Sequence, residues 1–104
     1  MADIPEITDE TRGSRFVTVV DGVEAKLEYE RRGDRLVLQH TEVPDEVGGR
    51  GIAAALVQFA VEQARRDGAT LVPRCPYARG WLEKHPDAAA GVTIDWERGG
   101  KRSS

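Results

Sequence analysis

The chain has 104 residues, which is enough for one domain with a single modest core. Charged residues make up 32% and hydrophobic residues 39%, as in a globular protein, and the formal net charge of -3 argues against a general electrostatic binder of nucleic acid. The single cysteine excludes an intrachain disulfide and a paired-cysteine metal motif. No apolar stretch approaches the roughly 20 residues of a membrane span.

The acidic start of the chain does not have the basic, then apolar pattern of a signal peptide. We therefore expect a cytoplasmic protein without a membrane, nucleic-acid or metal partner, and composition leaves the oligomeric state open. Residues 1–13 are polar and acidic, which predicts a flexible N-terminal arm. One folded domain is predicted over residues 14–98, followed by a flexible tail at 99–104.

A β-hairpin is predicted for Ser14–Arg32. Asp21 and Gly22 form a two-residue sequence that is typical of a type I′ turn. Beyond this turn, apolar residues alternate with Glu and Lys as far as Glu30, which predicts a strand with one buried and one solvated face.

A third strand is predicted for Arg35–Val43. Simple alternation places Leu36, Leu38 and His40 on one face and Thr41 on the other. The first half of this strand is apolar and the second half is polar, so we expect a central strand that ends at a site rather than in the core.

A long amphipathic helix from Gly51 to about Asp67 and an apolar strand at Ala69–Cys75 follow. Strand, helix and strand form a βαβ unit with a parallel pair. A short helix is predicted for Pro76–His85 and a last, antiparallel strand for Gly91–Glu97. The fold class is therefore α/β (α+β), with a mixed, mostly antiparallel sheet, one long helix and one short helix.

Two residues that are able to do chemistry lie at the C-terminal ends of the predicted parallel strands. In such sheets ligands bind outside these strand ends, where neighbouring strands diverge. His40 and Cys75 are therefore predicted to flank one crevice.

A glycine-rich turn, Gly48-Gly49-Arg50-Gly51, precedes the long helix. Unpaired N–H groups and the positive end of the helix dipole make such a turn a site for phosphate oxygens. It is not a Walker A loop, because no Gly-Lys-Ser/Thr follows, and it lacks the context of a dinucleotide-binding fingerprint.

The segment HTEVPDEVGGRGIAAALV resembles the acetyl-CoA motif of the GNAT N-acetyltransferase superfamily, in which Arg/Gln-x-x-Gly-x-Gly/Ala wraps the pyrophosphate of coenzyme A. Gly51 and Ala53 match the two small positions. Gly48 stands where the family usually has Arg or Gln, and Arg50 is a candidate replacement for the missing charge.

A second segment, VPRCPYARGWLEKHP, is similar to the Pro-x-Cys-Pro-Tyr/Phe and His-Pro signature of the short single-domain branch of that superfamily. The resemblance implies a reduced fold and acetyl-CoA as co-substrate. It also implies that pantetheine pairs with the backbone of Thr41, Glu42 and Val43, and that the pyrophosphate lies against the amides of Gly48, Gly49, Arg50, Gly51, Ile52 and Ala53.

Two mechanisms of transfer to an amine, such as a protein or peptide lysine or a small amine, follow from the resemblance. In the first, the amine attacks the thioester directly, His40 or a water accepts its proton, and Cys75 or Tyr77 protonates the departing thiolate. In the second, Cys75 is acetylated and passes the acetyl group on. The alternative function is a non-catalytic acyl-CoA-binding or protein-interaction module.

Overall fold

The computed structural model describes residues 6–97. Its strands form a single mixed sheet of five strands. Its strands lie side by side in chain order as β1 Thr8–Glu10, β2 Arg15–Val20, β3 Val23–Arg32, β4 Arg35–Glu42 and β5 Thr70–Pro73. The pairs β1–β2, β2–β3 and β3–β4 are antiparallel, and the pair β4–β5 is parallel. Helix α1, Ile52–Asp67, connects that parallel pair, and helix α2, Pro76–Lys84, follows β5. The predicted fold class is confirmed.

The β2–β3 hairpin has the predicted turn. Asp21 and Gly22 both have positive φ angles, 52° and 78°, and Val20 pairs with Val23 across them. A type I′ turn needs positive φ at both central residues, and its twist matches that of the strands. Alternation along β3 then turns its apolar side chains toward α1 and its Glu and Lys side chains toward the opposite, outer face of the sheet.

The core lies between the sheet and the two helices. Phe16 stacks on Tyr29 with ring centroids 4.4 Å apart and meets Phe59 of α1 edge-on at 5.1 Å. Leu56 of α1 and Leu82 of α2 are almost completely buried against the same face of the sheet. Both helices therefore cover the same face of the sheet.

A β-bulge in β4 changes the face on which its last residues lie. Tyr29 pairs with Leu38, but the preceding residue Glu28 pairs with His40, so Gln39 is an extra residue in β4. A bulge reverses the alternation beyond it. The prediction that His40 shares the face of Leu38 is therefore wrong, and His40 lies on the outer face with Glu28.

Two predicted segments differ from the structure. Thr8–Glu10, inside the predicted arm, forms the edge strand β1, and the Tyr29 hydroxyl donates a 2.5 Å hydrogen bond to Asp9 of that strand. The predicted antiparallel strand Gly91–Glu97 is reduced to one parallel bridge between Ile94 and Leu71. Residues 1–5 of the arm and the predicted tail lie outside the described residues.

Helix α2 ends at Lys84, one residue before the predicted end, and a short 3-10 turn follows at Pro86–Ala89. A second 3-10 turn, Asp45–Val47, connects β4 to the glycine turn. Neither α1 nor α2 is long and apolar enough to span a bilayer, and the same holds for every helix within residues 6–97.

Candidate active site

The parallel strands β4 and β5 separate where β5 ends. Their last paired residues are Leu38 and Pro73. The Leu38 carbonyl then accepts hydrogen bonds from the amides of Arg74, at 3.0 Å, and Cys75, at 2.9 Å, and this second bond turns the chain away into α2. Strand β4 continues to Glu42 paired only with β3. A gap therefore opens between the two strands beyond Leu38.

The backbone of Thr41 faces this gap. The Tyr29 amide donates a 2.9 Å hydrogen bond to the Ser14 carbonyl, which lies on the β2 side of β3. Backbone groups two residues apart in a strand point the same way, so the N–H and C=O of Leu27 also point toward β2. In an antiparallel pair, residues alternate between hydrogen-bonded and non-hydrogen-bonded positions. Thr41 pairs with Leu27 and is thus not hydrogen-bonded to β3. Its N–H and C=O point into the gap, where an extended ligand is able to add as a strand.

Cys75 lies at the opposite side of the gap, directly before α2. Its side chain is 2% exposed and belongs to the core cluster on the helix-covered face. The Thr41 hydroxyl oxygen is 3.2 Å from the Cys75 sulfur. The bulge at Gln39 thus brings Thr41, rather than His40, to the cysteine.

The N-terminus of α1 is open on the same side of the sheet. Gly51 is its N-cap, with a φ of 76° and no side-chain hydrogen bond, and the first turn contains no acidic residue. The first intrahelical bond links the Ala55 amide to the Gly51 carbonyl at 3.0 Å. The amides of Ile52, Ala53 and Ala54 therefore have no intrahelical acceptor, and the helix dipole adds partial positive charge to them.

These amides open into a cleft of about 270 Å³, and the residues that line it are Val43, Gly48, Gly49, Gly51, Ile52, Ala53, Ala54 and Tyr77. Most of the predicted cofactor residues are therefore brought together in one cavity. Ala54 is the lining residue that was not predicted as a site residue, although the run of three alanines after Ile52 was a signal for close approach. Most of the lining residues are glycines and alanines, which leave the backbone accessible.

Three predicted cofactor residues, Thr41, Glu42 and Arg50, do not line this cleft. Thr41 faces the neighbouring gap. The exposed Glu42 lies 3.8 Å from the Lys26 ammonium. The Arg50 guanidinium donates a 2.7 Å hydrogen bond to Asp21 in the β2–β3 turn, so the side chain predicted to replace the missing charge is engaged elsewhere.

Tyr77 and His40 occupy different faces of the sheet. Tyr77 lies in the first turn of α2, lines the cleft and is 42% exposed. Burial of its ring, and then the charge of a Cys75 thiolate, raise the pKa of Tyr77, so the phenol keeps its proton near neutral pH. His40 is exposed on the outer face, at the edge of the same gap. The structure thus groups Tyr77, Cys75 and Thr41 and separates His40 from them.

Within residues 6–97, no three His, Cys, Asp or Glu side chains are grouped in a way that would hold a metal ion. The groups that the structure brings together here are the N–H donors of α1, the phenol of Tyr77 and the thiol of Cys75, next to the gap between β4 and β5.

Known proteins resemble this chain in sequence and in fold. A family model described as GCN5-related N-acetyl-transferase matches residues 15–91. Protein NATD1 of Homo sapiens is 34% identical over 83 residues, which cover 77% of this chain and 74% of that protein. Protein NATD1 of Gallus gallus is 40% identical over 63 residues, which cover 60% of this chain and 57% of that protein.

A solution NMR structure of a GCN5-like protein from Staphylococcus aureus covers 98% of this chain and 100% of its own, with a TM-score of 0.68 and 24% identity. At that identity the likeness shows the fold. The predicted motif of the short branch stays a prediction. Since the family model spans most of the chain, this protein belongs to the GCN5-related N-acetyltransferase family and is an N-acetyltransferase.

Proposed function

We propose that this protein transfers the acetyl group of acetyl-CoA to a primary amine. One observation carries the proposal: the open N-terminus of α1 lines a cleft next to the gap into which the Thr41 backbone points. The open N-terminus of α1 suits an anionic pyrophosphate, and the gap beside Thr41 suits an extended chain with amide groups. Coenzyme A contains both groups, one after the other.

In the proposed complex, the pyrophosphate accepts hydrogen bonds from the amides at the start of α1, between Gly49 and Ala54. The pantetheine arm extends along Thr41 and Val43 into the gap. This order places the thioester near Cys75 and Tyr77, which are on the helix-covered face. Gly49 and Gly51 have φ angles of 78° and 76°, which are strained for residues with a side chain. Glycine adopts these angles without strain, so this turn is able to form in front of α1.

The proposed reaction is direct transfer. The amine nitrogen forms a bond to the thioester carbonyl carbon, the C–S bond breaks, and the thiolate takes a proton from the Tyr77 hydroxyl. The position of Tyr77 in the cleft supports this role, and its raised pKa leaves the phenol protonated. The proton lost by the amine passes to His40 or to water.

His40 fits the base role when the amine enters from the outer face. Acetyl-CoA would then occupy the helix-covered face, and the gap between β4 and β5 would connect the two. The outer face near His40 carries Glu28 and Glu42. The Lys26 ammonium lies 3.7 Å and 3.8 Å from their carboxylates, so one positive charge faces two negative charges and the remaining charge favours a cationic acceptor. An imidazole is suited to accept a proton near neutral pH.

The environment of Cys75 favours direct transfer over an acetyl-cysteine intermediate. Its sulfur is almost fully buried and contacts Thr41, so an acetyl group on it would displace packed atoms. We therefore expect the Cys75→Ala variant to keep transfer activity. If the covalent route were used, the same variant would lose transfer activity.

The test has two steps. Acetyl-CoA should raise the melting temperature, because a ligand that binds the folded state stabilises it. The protein should then be incubated with acetyl-CoA and a panel of primary amines, with free coenzyme A measured as product. Intact mass of the protein alone should show no stable acetyl adduct. Stabilisation without product for any amine would favour the non-catalytic module, and an adduct absent in Cys75→Ala would establish the covalent route.

A further inference from the structure

A second cleft runs along the exposed side of α2 and begins where the first cleft ends. It has a volume of about 360 Å³ and is lined by Pro76, Tyr77, Gly80, Trp81, Lys84 and His85. Tyr77 also lines the cleft at the α1 N-terminus, so the two clefts meet at this ring. A ligand that passes over the Tyr77 ring from the first cleft would enter the second.

The walls of this cleft follow the helical repeat. Tyr77, Trp81 and His85 recur every four residues and form one stripe of rings. Trp81 and His85 are in contact, with centroids 4.6 Å apart, and Trp81 also packs against the core. From the first ring to the last the stripe measures about 12 Å at the rise of an α-helix. A flat aromatic ligand is able to stack along such a surface.

Gly80 has no structural reason to be a glycine. Its φ is not positive, and a Cβ added there would meet nothing within 4 Å. Glycine inside a helix costs about 1 kcal/mol relative to alanine. A side chain at this position would project into the cleft, so the absence of one keeps the cleft open at its middle.

The far end of the cleft is lined by a lysine, Lys84. Among the described residues no carboxylate forms an ion pair with the Lys84 ammonium, and Glu83 and Asp87, the nearest acidic residues in sequence, do not line the cleft. Arg79, another cation of α2, is directed away and donates to the carbonyls of Pro73 and Trp96. A cationic acceptor amine would be repelled here, whereas a phosphate would be attracted.

We propose that this cleft binds the adenosine end of coenzyme A, with adenine against the ring stripe at Gly80 and the ribose 3′-phosphate near Lys84. This inference rests on the proposed function, because the pyrophosphate must occupy the first cleft. It assigns recognition of the nucleotide to α2, whereas the reacting end is held by β4 and the start of the same helix.

Three probes separate the parts of the ligand: coenzyme A, dephospho-coenzyme A, which lacks the 3′-phosphate, and 4′-phosphopantetheine, which lacks adenosine. Dissociation constants are measured by calorimetry. Lys84→Gln should weaken coenzyme A binding about two- to five-fold and leave dephospho-coenzyme A unchanged, as for one exposed ionic contact. Lys84→Arg should keep the preference for coenzyme A. The matched control is Lys26→Gln, a lysine of the outer face, which should change none of the three constants.

Gly80→Ala supplies an independent test, because it should stabilise the free protein while weakening the binding of coenzyme A. Its melting temperature should rise by about 2 to 8 °C. Binding of both nucleotides should weaken about three- to ten-fold, since the added methyl group occupies the cleft, while 4′-phosphopantetheine binding stays constant.

Coenzyme A binding that is insensitive to both Gly80→Ala and Lys84→Gln would overturn this inference and leave the proposed function standing. An effect of Lys84→Gln on the KM of the amine but not on coenzyme A would overturn it too, and would assign the cleft to the acceptor. Absence of binding for every probe in the unaltered protein would overturn the proposed function and this inference together.

Discussion

Gly48 is the position at which a new side chain should improve ligand binding. The family usually has Arg or Gln here, and in this chain the glycine lines the cleft at the α1 N-terminus. Its φ of -67° and ψ of 160° are allowed for any residue. A Cβ would lie 3.5 Å from the Asp45 carbonyl oxygen, which is ordinary contact. Gly48→Arg should therefore fold normally and place a guanidinium near the proposed pyrophosphate.

The expected gain is modest because the site is exposed and acidic residues lie close by. Asp45 and Glu46 precede the glycine and compete for the guanidinium. An exposed ionic contact contributes about 0.5 to 1 kcal/mol, which corresponds to about two- to five-fold tighter binding of coenzyme A. The gain should shrink as salt is added, because exposed charges are screened within about 10 Å at 0.1 M ionic strength.

The assay is calorimetric titration with coenzyme A at low and high salt. Gly49→Arg is the matched control: Gly49 has a φ of 78°, and a side chain there costs about 1 to 2 kcal/mol of strain. That variant should melt about 4 to 16 °C lower. If Gly48→Arg melts normally but binds coenzyme A no better, or less tightly, the reasoning that places the pyrophosphate at this turn is wrong.

Three further variants test the reacting end and the edge of the sheet. Tyr77→Phe should lower kcat about 10- to 100-fold with little change in the KM for acetyl-CoA, as expected for a lost proton donor, and an equal rate would remove Tyr77 from the mechanism. Thr41→Val should lower the melting temperature more than Thr41→Ser, since only serine keeps the hydroxyl near Cys75; equal effects of both would reduce the contact to packing. Tyr29→Phe should destabilise the fold by about 1 kcal/mol through loss of the hydrogen bond to Asp9.

The last of these variants also has a pH signature. Burial, and then the hydrogen bond to Asp9, raise the pKa of Tyr29 from its ordinary value of 10.0 to about 12. A group whose folded pKa is raised contributes its stability fully below its unfolded pKa and loses it as the pH rises through the folded value. Unfolding free energy should therefore fall between about pH 10 and pH 12 by about 1 to 2 kcal/mol. Tyr29→Phe should lack this part of the decline, and an unchanged profile would contradict the assignment.

Local sequence signals were sufficient for most of the fold. Asp21-Gly22 predicts a type I′ turn, and the period of two in β3 predicts a strand with one solvent-exposed face. The apolar period of α1 predicts a helix that covers the buried face of the sheet. Each signal is carried by adjacent residues, so no distant contact is needed to interpret it. The edge strand β1 was missed for the opposite reason: its three residues are polar, and pairing with β2 rather than propensity makes them a strand.

The open N-terminus of α1 was likewise predictable from the sequence, because glycines before an amphipathic helix leave its first amides open wherever the helix packs. The placement of the reacting groups was decided only by the tertiary structure. Alternation put His40 beside the core, but the register between β3 and β4 contains the extra residue Gln39, which turns His40 outward and Thr41 toward Cys75. A bulge is a property of two paired strands, so one strand's pattern does not reveal it.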